Sequence, residues 1–181
     1  IQPGAKNFDF NLQQYSITDE RKASVDFSSP YYETTQTIIT VEGSKAAGAT
    51  TIAELKDLAI GAATGTTSFA AIEDVIQPTG GAQAFNSNDD AKAALAAGQI
   101  DALVVDLPTA LYLTAVEIEG GLIVGQLAGA LAGDQFGLVL DKGSALTAAV
   151  TAAVDALRAD GTLAALAEQW LSGYAGVPVL E

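Results

Sequence analysis

The 181-residue chain contains no cysteine, no histidine and no methionine, and only two arginines, Arg21 and Arg158. Without Cys there can be no disulfide and no thiol nucleophile. Without His there is no imidazole base, and the two absences together remove the usual zinc ligands. Missing Cys fits any redox compartment and says nothing about location. Bases are scarce: 8 Lys and Arg stand against 22 Asp and Glu, a net charge of −14. A surface so short of cations opposes binding to nucleic-acid phosphates and to anionic lipid. It reads instead as a solvated, self-repelling exterior. No apolar run approaches the roughly 20 residues needed to cross a bilayer. The chain shows no signal peptide and starts at Ile1 rather than Met. An upstream segment is therefore expected to have been removed by processing, by cleavage or by design.

What is present is apolar and well patterned. Hydrophobic residues make up 49% of the chain, mostly Ala, Val, Leu and Ile, which argues against disorder and for a real core. IQPGAKNFDFNLQQYS alternates as a strand does. TQTIITV, rich in β-branched residues, is a second strand. TTIAELKDL reads as a helix with a Thr N-cap, LAIGAATG as a buried strand ending in a glycine turn, and TTSFAAIEDVI as a helix. GGAQAFNS contains a short strand, NDDAKAALAAGQ is an amphipathic helix closed by Gly98, IDALVVD is another buried strand, and LPTALYLTAVE is again helical. The apolar strand FGLVLDKGS precedes two final helices, SALTAAVTAAVDALRADG and TLAALAEQWLSG. Strands alternating with helices at this spacing imply parallel βαβ units and an open α/β sheet.

Three places carry chemistry. In SITDERKASVDFSSPYY, Thr18, Asp19 and Glu20 form a helix start of hydroxyl cap and acids, yet Arg21 falls in the same first turn, where a cation is mildly disfavoured. Arg21 is either a solvated helix residue or a fork for a carboxylate. At Gly65-Thr66-Thr67 a buried strand turns into a helix that starts with hydroxyls. That is either an ordinary capped βα turn or an anion site at the carboxyl ends of the strands. Asp106 ends the strand ALVVD. It either caps the next helix, with Pro108 in the first turn, or faces the crevice where such sheets bind ligands. No GxGxxG or GxxxxGK[ST] run supports nucleotide binding. A guanidinium and a helix start for an anion, with a carboxylate for a cation, match the two charges of an α-amino acid.

SITDERKASVDFSSPYY resembles the S-(I/M)-T-x-x-R … D-F-(S/T)-x-P-Y-Y segment of amino-acid-type extracellular solute-binding proteins, the receptors of ABC importers. TIAELKDLAIGAATGTTS, LAAGQIDALVVDLPTALYL, DQFGLVLDKGS and ALRADGTLAALAEQWL follow in family order, so the resemblance covers almost the whole chain. It implies a periplasmic-binding-protein-like α/β fold, two lobes joined by two crossover strands, with a ligand captured between them. By resemblance Arg21 binds the ligand α-carboxylate, helped by Thr67, Thr66 and Ser16, and Asp106 binds the α-ammonium. Gln135 stands where the second crossover meets the cleft, and Gln14 just before Ser16. No cofactor, metal or nucleic acid is implied. The partners are a free amino acid and a membrane permease, and the location is extracytoplasmic, in the periplasm or lipid-anchored at the outer face of the cell membrane.

The chain departs from the family in one respect: the first strand, first long helix and second strand of lobe 1 are missing. The expected lobes are residues 1–32 and 128–181 for a partial lobe 1 and residues 33–127 for lobe 2. A sheet without its first strands should expose unpaired edges and apolar surface. The missing part is expected from a separate N-terminal fragment, bound or disordered, or from an exchanged element of another copy. The implied function is capture of a polar amino acid, neutral or basic because Arg158 lies on a helix pattern away from the cleft motifs. Two alternatives use the same fold. One is a periplasmic enzyme resembling prephenate or arogenate dehydratases or lytic transglycosylases, which need a buried general acid. No Glu falls in the cleft motifs and His is absent, so no enzyme is expected. The other is a ligand-sensing receptor domain.

Overall fold

The computed structural model describes residues 6–128, 134–171 and 176–181. The chain opens with strand β1 (Asn11–Ser16), helix α1 (Asp19–Ser24) and two short strands, β2 (Val25–Phe27) and β3 (Tyr32–Thr34). Strands β4 (Gln36–Val41) and β5 (Ile60–Ala63) follow, then helix α2 (Thr67–Ala71) and strand β6 (Gln83–Phe85). Helix α3 (Asn88–Ala96) leads into β7 (Ala102–Asp106) and helix α4 (Leu107–Tyr112). Two longer strands, β8 (Gly121–Leu127) and β9 (Asp134–Asp141), precede helices α5 (Thr147–Ala159) and α6 (Thr162–Leu171), and the last strand is β10 (Val179–Leu180). Among the described residues no helix is long and apolar enough to cross a membrane.

The chain divides into two compact units. The first joins Ile1–Thr34 to Asp134–Gly173, and the second joins Thr35–Gly133 to Tyr174–Glu181.

In the first unit β9 is the central strand. β1 pairs antiparallel along one edge, while β2 and β3 pair antiparallel in succession along the other. The β1–β9 register slips between Asn11 and Tyr15, where Gln14 adopts a left-handed φ of 56°, as in a bulge. Alternation along β9 buries Phe136, Leu138 and Leu140 on one face, and the rings of Tyr31 and Tyr32 lie 6.2 and 6.1 Å from that of Phe136. On the other face Gly137 lets side chains close in, since a Cβ there would meet Ile17 Cδ1 at 2.8 Å and Phe27 Cδ1 at 3.1 Å. The cover is thin. Within its described residues α5 buries only Val154 and α6 buries none fully, while Phe8, Phe10, Leu12, Leu157, Leu166 and Trp170 are exposed.

The second unit is a six-stranded sheet in the order β10-β8-β4-β7-β5-β6. It is mixed. β7, β5 and β6 run parallel, as their βαβ spacing requires, but β4 is antiparallel to both its neighbours. The sequence pattern could not show that reversal, because it gives spacing and not direction. Ile38, Ile60, Ile72 and Val104 fill one side of the sheet, and Ile39, Leu95, Leu103, Val105 and Leu113 fill the other. β10 pairs parallel with β8 and buries Leu180. Residues 176–181, which include β10, lie in the second unit.

Local capping accounts for most helix ends. Gly98, at φ 68°, closes α3. The helix expected over TTIAELKDL is reduced to a 3-10 turn, Ala53–Leu55. There Glu54 folds back and accepts from the Thr50 and Thr51 N–H groups at 2.7 and 3.1 Å, and the N–H bonds hold its carboxyl below the usual range. That reversed cap ties the turn to its own entrance rather than extending it. α2 widens into a π turn over Ile72–Ile76, which stops at Gln77 in the left-handed region, before Pro78.

Candidate functional site

In the first unit the candidate residues gather where β1 runs into α1. Thr18 is the N-cap of α1, its Oγ1 accepting from the Arg21 N–H at 3.1 Å. That cap starts a helix of one and a half turns and so turns Arg21 back toward the end of β1. The Arg21 Nη1 donates to the carbonyl of Ser16 at 2.8 Å, and its guanidinium carbon lies 6.0 Å from the centre of the Tyr15 ring. A guanidinium carries five N–H donors in a fixed fork, so a main-chain carbonyl and a π face help to hold it in one orientation. Ser16 is buried and Gln14 exposed. Gln135, on β9, donates from Nε2 to Glu33 Oε1 at 2.7 Å. Sequence reading missed both Tyr15 and Glu33. The bond between β3 and β9 that joins Glu33 to Gln135 spans 102 residues and leaves no local signal.

In the second unit Thr66 is the N-cap of α2. Its Oγ1 accepts from the Phe69 N–H at 3.1 Å and donates to the carbonyl of Ala63 at 2.6 Å. The cap gives Thr66 a structural role, and Thr67 becomes the first helical residue. Asp106 also caps: Oδ1 accepts from the Thr109 N–H at 2.9 Å and Oδ2 from the Thr109 hydroxyl at 2.8 Å, with Pro108 in the first turn of α4. The bland reading of Asp106 is thus present in the structure, and it leaves room for a second role because a carboxylate has about four acceptor positions.

A residue that sequence reading passed over connects these two. Gln36, on β4, is directly opposite Asp106 on β7, so their side chains share a face of the sheet. Gln36 is 1% exposed, and its Nε2 donates to Thr67 Oγ1 at 3.2 Å. Its only signal in the sequence is a long polar amide within TQTIITV, where β-branched and apolar residues surround it. Next to it Thr35 donates to Gln126 Oε1 at 2.7 Å, and Gln126 Nε2 donates to the Val177 carbonyl at 3.0 Å. These bonds tie the start of β4 to β8 and to the segment before β10.

The model of the bacterial extracellular solute-binding proteins, family 3, matches residues 2–173. The chain belongs to this family. It is 33% identical to the L-arginine-binding protein of Pseudomonas aeruginosa, over 92% of this chain and 66% of that one. It is 29% identical to the L-cystine-binding protein TcyJ of Escherichia coli K12, over 92% of this chain and 61% of the relative. Among solved structures, it superposes on the arginine-, lysine-, histidine-binding protein ArtJ of Geobacillus stearothermophilus with a TM-score of 0.73 and 27% identity, covering 91% of this chain and 70% of that one. The chain therefore spans just under two thirds of the length of these curated relatives. The α/β architecture with two sheets is that of the family.

Proposed function

We propose that this family 3 protein is the substrate-binding component of an ABC importer and captures a free polar amino acid, neutral or basic, for a membrane permease. The carboxylate of the ligand goes to Arg21 and Thr67, with Thr66 and Ser16 beside them, and its ammonium to Asp106; Gln14 and Gln135 flank them. The observation that carries the reading is the Arg21 guanidinium, oriented by the Ser16 carbonyl and the Tyr15 ring at the end of β1. A surface arginine has no need of two such supports. The names of the relatives add support, for they are binding proteins of arginine and of cystine. The protein acts outside the cytoplasm, in the periplasm or lipid-anchored at the outer face of the cell membrane, and breaks no bond. In this reading the lobes correspond to the two compact units, and lobe 1 is completed by an N-terminal fragment or by an exchanged element of another copy.

Calorimetric titration with a panel of L-amino acids tests the proposal. Arginine, lysine or glutamine should bind, and Arg21→Ala should weaken binding by about 2–5 kcal/mol, the cost of truncating one partner of a desolvated charge pair. Equal affinity in Arg21→Ala would overturn the assignment.

A further inference from the structure

We infer that Gln36 is a positioning residue for ligand binding, acting on the carboxylate of the ligand through the hydroxyl of Thr67. The inference rests on the amino-acid reading above and adds a residue that the family motifs do not mark. All of its geometry lies in the second unit. Gln36 is 1% exposed, sits opposite Asp106 in the β4–β7 register and donates from Nε2 to Thr67 Oγ1 at 3.2 Å.

A threonine hydroxyl has one proton and two lone pairs. As an isolated group it rotates and can turn its proton to any acceptor. An N–H from Gln36 on one lone pair removes that freedom, because the hydroxyl proton must then point away from Gln36. Thr67 is the first residue of α2, where N–H groups without helical partners already favour negative charge. A hydroxyl biased to donate away from Gln36 adds a donor to the same region. Gln36 therefore turns Thr67 from a group that could accept or donate into one that donates, which is what a carboxylate needs.

The same contact explains a polar side chain at a costly position. Ile38 and Val104 are register partners at the apolar centre of the sheet. Two residues along each strand, the same row ends in Gln36 and Asp106. Replacing an aliphatic residue by a buried amide is unfavourable unless the amide is hydrogen-bonded. The bond to Thr67 meets that condition for Nε2 only, since Oε1 is buried with no hydrogen-bond partner among the described residues. That bond joins the group proposed for the ligand carboxylate to the strand position opposite the group proposed for the ammonium.

The test uses the protein with lobe 1 complete, the chain together with its N-terminal fragment or second copy. Two probe pairs are used, each an amino acid and the amine that lacks its carboxylate: L-arginine with agmatine, and L-glutamine with 4-aminobutanamide. Gln36→Met keeps most of the side-chain volume and removes the donor. It should weaken the amino acid about tenfold and change affinity for the amine less than twofold. In a Thr67→Val background Gln36→Met should cost nothing further. Gln36→Glu, which offers an acceptor in place of the donor, should weaken the amino acid at least as much while circular dichroism shows the fold retained. Equal losses for amino acid and amine, or full additivity with Thr67→Val, would overturn the inference and leave the amino-acid reading intact. If the completed protein binds neither amino acid, that reading falls, and the role of Gln36 with it.

Discussion

At the scale of single residues, Asp106 shows how one side chain can serve structure and ligand together. It caps α4 through Thr109 and is the group proposed for an ammonium ion. Substitution can separate the roles, because Asn caps a helix about as well as Asp but carries no charge. Asp106→Asn should change the free energy of unfolding in urea by less than about 0.5 kcal/mol and weaken amino-acid binding by roughly 2–5 kcal/mol. Asp106→Ala should lose the binding and about 1 kcal/mol of stability as well. Unfolding in urea and calorimetric titration of the same samples give both quantities. The caps at Thr18, Thr66 and Asp106 were legible in the sequence, because each bonds an N–H three residues away. The partner of Gln36 lies 31 residues off, across a turn and a strand, and only folding brings it near.

At the scale of elements, the join between β2 and the turn from β9 into α5 depends on one carboxylate. Asp26 Oδ2 accepts from the Gly143 N–H at 3.0 Å and the Thr147 hydroxyl at 3.1 Å, and Lys142 Nζ lies 3.3 Å from Oδ1. Partial burial pushes its pKa up, but Lys142, Gly143 and Thr147 outweigh burial and bring it below the ordinary aspartate value. A carboxyl with a depressed pKa in the folded state binds its proton less readily there than in the unfolded chain. Its contribution is complete above the unfolded value of about 4 and fades as pH falls through the lower folded value. Asp26→Asn should cost roughly 1–2 kcal/mol at pH 7. As pH falls below about 4 parent and variant should begin to converge, meeting below the depressed folded value, and urea unfolding across that range checks both. Helix and strand identities could be read from periodicity, and most elements stand where their patterns put them. The stretch from Thr51 differs. A glutamate three residues inside an intended helix start closed on the entrance itself, and residue patterns do not distinguish that short loop from a longer helix.

At the scale of the whole molecule, the chain passes from the first unit to the second, back to the first, and at the end to the second again. The final return was not legible. YAGVPVLE has no periodic pattern long enough to assign, and Leu180, the buried residue of β10, packs against residues far back along the chain. Gly125 shows how closely it fits, since a Cβ there would meet Leu180 Cγ at 2.7 Å. Leu180→Ala should destabilise the second unit by about 2–5 kcal/mol. In hydrogen exchange, the amides of β4 and β8 should then lose protection while those of β9 keep theirs.

The position of β10 also governs the order in which the protein can be completed during synthesis. β8 is made more than 50 residues before the strand that pairs with it, so it waits through translation of the rest of the first unit with one edge uncovered. The first unit lacks β9 and its helices, and the second lacks β10, until residues 134–171 and 179–180 have been made. A nascent chain stalled after residue 171 would hold the helices of the first unit while the second unit still lacked its edge strand β10.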